Sequence, residues 1–294
     1  MRMKDQFNKG LLLTSIGSFW WGFIGVLYFQ YLSFIGHIEL VVHRCIWTTV
    51  MLILTTTYFV KWKTFLKTIS IKKNLIGLFF SGFLIFVNWA VWIYAVASER
   101  IIDASFGYFI MPIISVLLGK IFFNEKLNQK RSLSVLLVIV SILILIFFNI
   151  RSIPWVGLIV ALSWAFYNLV RKKINVDTDI GLLIESLYIF PFALVVFYII
   201  TKHSLNDFSF SSPSLSLFIL LAGPMTVIPL FLYVRGVELI GLGPTGMIFY
   251  ITPTLQFILG YFYYNEEFSL IKFVSFIIIW IAVVIYLRDL YETN

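Results

Sequence analysis

Apolar runs of about twenty residues follow one another from near residue 10 to residue 288, separated by short polar stretches. At 1.5 Å rise per helical residue, each run is long enough to cross a hydrocarbon layer of about 30 Å. None alternates apolar with polar, as the strands of a membrane barrel do. The runs predict ten membrane-spanning helices, at roughly 10–32, 37–60, 74–98, 101–123, 131–149, 154–171, 179–201, 214–235, 240–264 and 268–288. The longest polar stretches, 61–73 and 202–213, leave no room for a soluble domain. The run from Leu11 to Leu32 follows Arg2, Lys4 and Lys9, but it is too long for the apolar core of a cleaved leader. It also ends without a small-residue cleavage site, so it reads as a first span that stays.

Two of the runs resemble each other. GYFIMPIISVLLGKIFFNEKL (107–127) and IFYITPTLQFILGYFYYNEEF (248–268) align without a gap. They share Ile110 with Ile251, Pro112 with Pro253, Leu118 with Leu259, Gly119 with Gly260, Asn124 with Asn265 and Glu125 with Glu266, always 141 residues apart. They are the fourth and ninth spans. Five spans separate them, an odd number, so they cross in opposite directions. The pattern predicts two five-helix repeats of inverted topology, 1–149 and 150–294, an architecture that carriers use to build a central site between the halves. A proline in mid-span frees the carbonyl four residues earlier, here those of Tyr108 and Phe249, and in lipid such a carbonyl needs a partner or a wet cavity. Pro112 and Pro253 are therefore expected to shape helix kinks.

Composition agrees with the pattern: 61% of the chain is hydrophobic and 12% charged, against about 45–50% and 25% in soluble domains. The net charge of +8 does not point to nucleic acid, because the charge sits in short loops and sorts by side. With the N-terminus inside, sixteen Lys and Arg fall on the cytoplasmic side and four (Arg100, Arg151, Lys202, Lys272) on the other. That bias favours ten spans with both termini in the cytoplasm. Cys45 is the only cysteine, so no intramolecular disulfide or cysteine metal cluster is possible. His37, His43 and His203 are scattered, which argues against a metal site, and no cofactor is expected. The chain has no phosphate loop, GxSxG or HExxH, so uphill transport would draw on an ion or solute gradient.

Ionisable groups inside a membrane are costly and mark function first. Glu39 and His43 share a helix face four residues apart, and Arg44 follows; the three suit a zwitterion's charged ends or a proton, or else pair among themselves to fix the helix. Glu185 opens the seventh span, the counterpart of the second, and either faces a cavity or pairs with Arg171 or Lys172. Glu99, Asp103, Glu125 and Glu266 read as structural or solvated. Aromatic rings lie at depth in the spans: Trp20, Trp21, Trp89, Trp92, Tyr108, Trp164, Tyr167 and Tyr250. Such rings either line a cavity, where they suit apolar, aromatic or cationic solutes, or pack and face lipid. Asn88, Asn168 and Gln256 are polar at depth and need partners. Gly17, Gly22, Gly25, Gly77, Ser81 and Gly82 provide small faces for close helix packing.

Several stretches also resemble a known family. ELVVHRCIW (39–47), NWAVWIYAV (88–96), DASFGYFIMPI (103–113), FYNLVRKK (166–173), AGPMTVIPL (222–230) and YITPTLQFILG (250–260) are similar to the RarD subfamily of the EamA-type drug/metabolite transporters. Met111 departs from that pattern, where an Asn is usual, as do Gln30, Tyr31 and YVRGVEL (233–239). The resemblance implies a multi-pass permease of the bacterial inner membrane, working as monomer or homodimer and exporting small metabolites or drugs. The expectation is thus a secondary transporter with a small-molecule substrate in the lipid bilayer, with protons as a coupling ion. A passive facilitator is the alternative. A membrane-embedded enzyme lacks a clustered nucleophile and base.

Overall fold

The computed structural model describes residues 2–97, 101–149, 155–174, 176–203, 205–208, 212–263 and 270–293. Glu99, Arg100, Arg151 and Glu266, and the side chains of Asp103 and Lys272, lie outside the described residues. Among the described residues the regular structure is all helical. The first helix is continuous from α1 (Arg2–Phe19) through a π-helical turn (Trp20–Ile24) into α2 (Gly25–Tyr31). Then come α3 (His37–Tyr58), α4 (Trp62–Ile69), α5 (Lys72–Ala97), α6 (Ile101–Phe123) and α7 (Gln129–Asn149). The second half holds α8 (Trp155–Ile174), α9 (Thr178–Lys202), α10 (Pro213–Leu220), α11 (Ala222–Ile240), α12 (Leu242–Ile248), α13 (Ile251–Phe262) and α14 (Leu270–Thr293).

Seven of these helical stretches are long and apolar enough to cross a membrane. Their outer faces carry large apolar side chains such as Phe79, Phe80, Phe83, Phe147, Phe148 and Phe192, all exposed. Water would not tolerate so much exposed apolar surface. The interior, by contrast, holds small polar residues, including Thr14, Ser18, Ser81, Ser141, Thr252 and Ser275, all fully buried. In a membrane, tight packing and interhelical hydrogen bonds replace the hydrophobic effect between helices. Ser141 Oγ, for example, donates to the Ser275 carbonyl at 2.9 Å. The helix α4 occupies the stretch 61–73 that polarity marked as a connection. Phe65 and Ile69 pack toward Leu78, Ile180 and Ile184, while Lys63 and Lys67 stay exposed; such an amphipathic pattern suits a membrane interface.

The close packing joins the first half to the second. α1 lies against α11, α5 against α8, α3 against α9, α6 against α8 and α12, and α7 against α14. By the 141-residue offset, α1 corresponds to α8, α5 to α11, α3 to α9, α6 to α12–α13 and α7 to α14. The α1–α11 pair is therefore the counterpart of α5–α8, and three other pairs each join a helix to its own counterpart. Two adjacent counterparts meet directly: Tyr250 Oη donates to the Phe109 carbonyl at 2.8 Å, and the rings of Tyr108 and Phe249 sit 5.6 Å apart. Residues that touch their own counterparts mark where the relating axis passes. There α6 and α12–α13 run antiparallel, Glu125 meeting Leu242, Ser115 meeting Gly246 and Phe109 meeting Tyr250. An axis relating antiparallel segments lies across them, not along them.

The two prolines act differently. α6 runs through Pro112 without interruption; the proline leaves the Tyr108 carbonyl without its helical donor, while the neighbouring Phe109 carbonyl accepts from the Tyr250 hydroxyl. The counterpart segment breaks in two: α12 ends at Ile248, the chain turns at Phe249 and Tyr250, and Pro253 is the third residue of α13. Lacking an N–H, Pro253 cannot serve the Phe249 carbonyl, which instead takes the Thr252 N–H at 2.8 Å.

Candidate functional site

A small cavity lies beside this axis. The π-helical turn brings Trp21 and Gly25 to it, and Phe29 adds the next turn of the same helix. The extra residue per turn of a π segment shifts the ladder, and such shifts cluster at functional sites. Nearby, the Thr252 hydroxyl donates to the Ser18 carbonyl at 2.8 Å, and Gly22 permits the contact, since a Cβ there would stand 2.9 Å from the Thr252 backbone. α3 contributes Arg44; α5 contributes Asn88, Trp89 and Trp92; Tyr108, Trp164 and Phe249 complete the wall. The free volume is about 40 Å³, enough for a few waters and far too small for a metabolite.

Arg44 dominates the electrostatics of this cavity. It is only 4% exposed. Its Nε donates to Thr226 Oγ1 at 3.0 Å, and its guanidinium lies 4.8 Å from the Phe29 ring centre and 4.7 Å from that of Trp89. Among the described residues no carboxylate lies within ion-pair distance of it. Asn88 Nδ2 donates to the Val160 carbonyl at 3.0 Å and to Ser163 Oγ at 3.1 Å. Trp164 stands edge-on to Trp21 at 4.8 Å. The Trp89 indole N–H has no hydrogen-bond partner among the described residues.

Trp89 also borders a second, smaller space of about 10 Å³ that reaches Glu185. Glu185 is the 141-residue counterpart of Arg44, with opposite charge. It accepts from Ser81 Oγ at 2.5 Å and from Tyr167 Oη at 3.3 Å, and Arg171 Nε lies 3.5 Å away. Arg171 is thus its partner, while Lys172 pairs with Glu125 at 2.7 Å.

Of the residues singled out from sequence, Trp21, Arg44, Asn88, Trp89, Trp92, Tyr108 and Trp164 come together at the cavity, with Gly25 beside them. The rest stand elsewhere. Glu39 accepts the backbone N–H groups of Asp207 and Phe208, at 2.8 and 3.2 Å, with His43 Nε2 at 3.4 Å. His43 Nδ1 accepts from the Trp47 indole at 3.2 Å, and its ring packs on Phe197 and Phe208. Tyr167 serves Glu185, Asn168 Nδ2 donates to the Trp164 carbonyl at 2.9 Å, and Tyr250 closes the axis. Trp20 and Gln256 are half-buried and do not line the cavity. Phe29 and Phe249 were not foreseen. Adding 141 to Tyr108 would have found Phe249; nothing in the local sequence marks Phe29. Among the described residues no group of three His, Cys, Asp or Glu could hold a metal ion.

Glu125 carries the other notable polar cluster. Asn124 adopts a left-handed conformation, φ +52°, the usual way to turn a chain out of a helix end. Glu125 is thereby aimed at the other half, where Oε1 accepts the Leu242 N–H at 2.8 Å and Oε2 the Gly243 N–H at 2.9 Å. Glu125, read as structural from sequence, caps the start of α12.

Long apolar helices, a lipid-like exterior and a buried cavity between two related halves define a multi-pass helical membrane protein. The chain belongs to the EamA-like transporter family, whose sequence model matches it twice, over residues 8–147 and 151–288. It is 34% identical to protein RarD of Escherichia coli K12 over 290 residues, covering 98% of this chain and 97% of that one. It is also 34% identical over 282 residues to YojE, an uncharacterized transporter of Bacillus subtilis, covering 95% and 93%. A solved crystal structure at 12% identity superposes with a TM-score of 0.66 over 94% of this chain and 96% of that one, a likeness of fold alone.

Proposed function

We propose that the chain is a secondary transporter of small organic solutes that works by alternating access across the bacterial inner membrane. It has ten spans in two inverted repeats of five, residues 1–149 and 150–294, with both termini in the cytoplasm. The observation that carries this reading is the meeting of counterparts, Phe109 with Tyr250 and Tyr108 with Phe249, beside a buried cavity. In inverted-repeat carriers the site lies where the halves meet, and exchanging their conformations exposes it to alternate sides. The family match in two successive blocks and the relatives named as transporters support it. At about 40 Å³ the cavity is in a contracted state, so a solute enters only when the helices part. Transport runs outward and takes its energy from a gradient, with the proton as coupling ion.

Counterflow into proteoliposomes preloaded with amino acids, amines or chloramphenicol tests this. Saturable exchange of at least one solute is expected, and a pH gradient should change net flux without changing exchange at equal pH. Flux indifferent to pH leaves a facilitator instead. Folded protein that exchanges nothing refutes the transport reading.

A further inference from the structure

We propose that the transported solute carries a negative group, a carboxylate, on a flat apolar body, and that Arg44 holds that group. This rests on the transport reading above and specifies its substrate class. A guanidinium in low dielectric is strongly unfavourable unless its charge is met. Among the described residues Arg44 makes one hydrogen bond, from Nε to Thr226, and neither terminal nitrogen is engaged. Among the described residues no Asp or Glu lines the cavity. Two carboxylates buried within the helices have other partners: Glu39 has the Asp207 and Phe208 N–H groups, and Glu185 has Ser81, Tyr167 and Arg171. The planar fork of the guanidinium matches a carboxylate two-for-two. Trp89 lines the same cavity, and its buried indole N–H has no partner among the described residues, so it is a further donor that parting of the helices would offer.

The same geometry disfavours the other charge classes. Aromatic walls often suggest an organic cation, but here the faces of Phe29 and Trp89 are already taken by Arg44 itself. A cationic solute would meet the guanidinium at close range, and a neutral one would leave its charge unmet. The rings of Trp21, Trp92 and Phe249 remain for the apolar body.

The test is counterflow by the full chain in proteoliposomes with three probes on one body: indole-3-acetate, indole-3-acetamide and tryptamine. A phenyl series and the broader solute panel run alongside. The carboxylates should exchange with at least about tenfold higher apparent affinity than the amides and amines. Losing a charged hydrogen bond predicts about ten- to hundredfold weaker carboxylate binding in Arg44→Gln, with Arg44→Lys intermediate because it keeps charge and loses the fork. Thermal unfolding monitors folding. Should Arg44→Gln not fold, Trp89→Phe, which keeps the ring and drops the N–H, should weaken carboxylates and leave amides unchanged. Preference for amides or amines, or carboxylate exchange indifferent to both substitutions, overturns the assignment while transport stands. Folded protein that exchanges no solute overturns both.

Discussion

Removing the Glu125 carboxylate should loosen one end of the interface between the halves by an amount the structure lets us work out. Its two oxygens accept the Leu242 and Gly243 N–H groups and the Lys172 ammonium. The side chain is 20% exposed and Lys172 is 19% exposed, so the ion pair is partly screened and contributes about 0.5 kcal/mol. The cap is the larger part. Replacing a helix-capping acceptor by Ala costs about 1–2 kcal/mol, and Leu242, which is buried, would keep an N–H that water reaches poorly. Glu125→Ala should therefore cost about 2–3 kcal/mol. At about 2–4 °C per kcal/mol, that is a melting point lower by roughly 5–10 °C, read by size-exclusion chromatography after heating in detergent or nanodiscs. Glu125→Gln keeps one acceptor oxygen and should lose about half as much. Lys172→Ala removes only the pair and should lose least. A Glu125→Ala protein that melts within about 1 °C of the parent, or a Lys172→Ala protein that falls as far, would refute the capping argument.

Gly241 has φ +93° and a Cβ there would lie 2.4 Å from Glu125 Oε1, so Gly241→Ala should cost at least the roughly 1–2 kcal/mol of a left-handed residue, seen in the same melt. Tyr250→Phe removes the hydroxyl that serves the Phe109 carbonyl and should cost about 1 kcal/mol; no change would mean that this carbonyl does not depend on Tyr250. Glu185→Gln strands a buried Arg171 and should cost about 3–5 kcal/mol, whereas Glu185→Gln with Arg171→Gln should recover part of it; simple additivity of the two singles would disprove their coupling. In a Cys45→Ala background, cysteines at Lys67 and Lys173 should label from the cytoplasmic side and one at Lys202 from the other, and labelling of all three from one side would break the ten-span topology.

The helices were legible because lipid forces the sequence to declare them: each needs about twenty apolar residues. What polarity could not declare was α4, whose two lysines made an amphipathic helix look like a connection, and the break at Phe249–Tyr250. The break lies at the Phe249–Tyr250 turn just before Pro253, whereas α6 stays unbroken through the equivalent Pro112, so the proline alone does not decide it. The cavity was half legible. Trp21, Arg44, Asn88, Trp92, Tyr108 and Trp164 stood out as polar or aromatic at depth. Spacing grouped Arg44 with Glu39 and His43 on one helix, yet their partners come from far away: the N–H groups of Asp207 and Phe208 take Glu39, and Thr226 takes Arg44. Local periodicity carries no record of contacts across 168 or 182 residues.

The repeat offset supplies part of what periodicity lacks, and it also shows where symmetry stops. Arg44 and Glu185 occupy counterpart positions with opposite charge. Among the described residues Arg44 faces the cavity without a counter-ion, and Glu185 is locked to Arg171, Ser81 and Tyr167. α6 is continuous through Pro112, and its counterpart is two short helices with their joint at Phe249, on the cavity wall. On the alternating-access reading, a shared backbone plan lets the two outward- and inward-facing arrangements lie close in energy, since each half can take the other's shape. A bound solute, however, is not symmetric, and the side chains that hold it need not be. The first half then contributes the fixed charge and most of the aromatic wall. The second half contributes the joint that moves, where a segment already freed of a continuous helical ladder can turn at little cost. On that reading the wall that holds a solute and the joint that would release it meet where the Tyr108 ring lies against Phe249, at the axis between the halves.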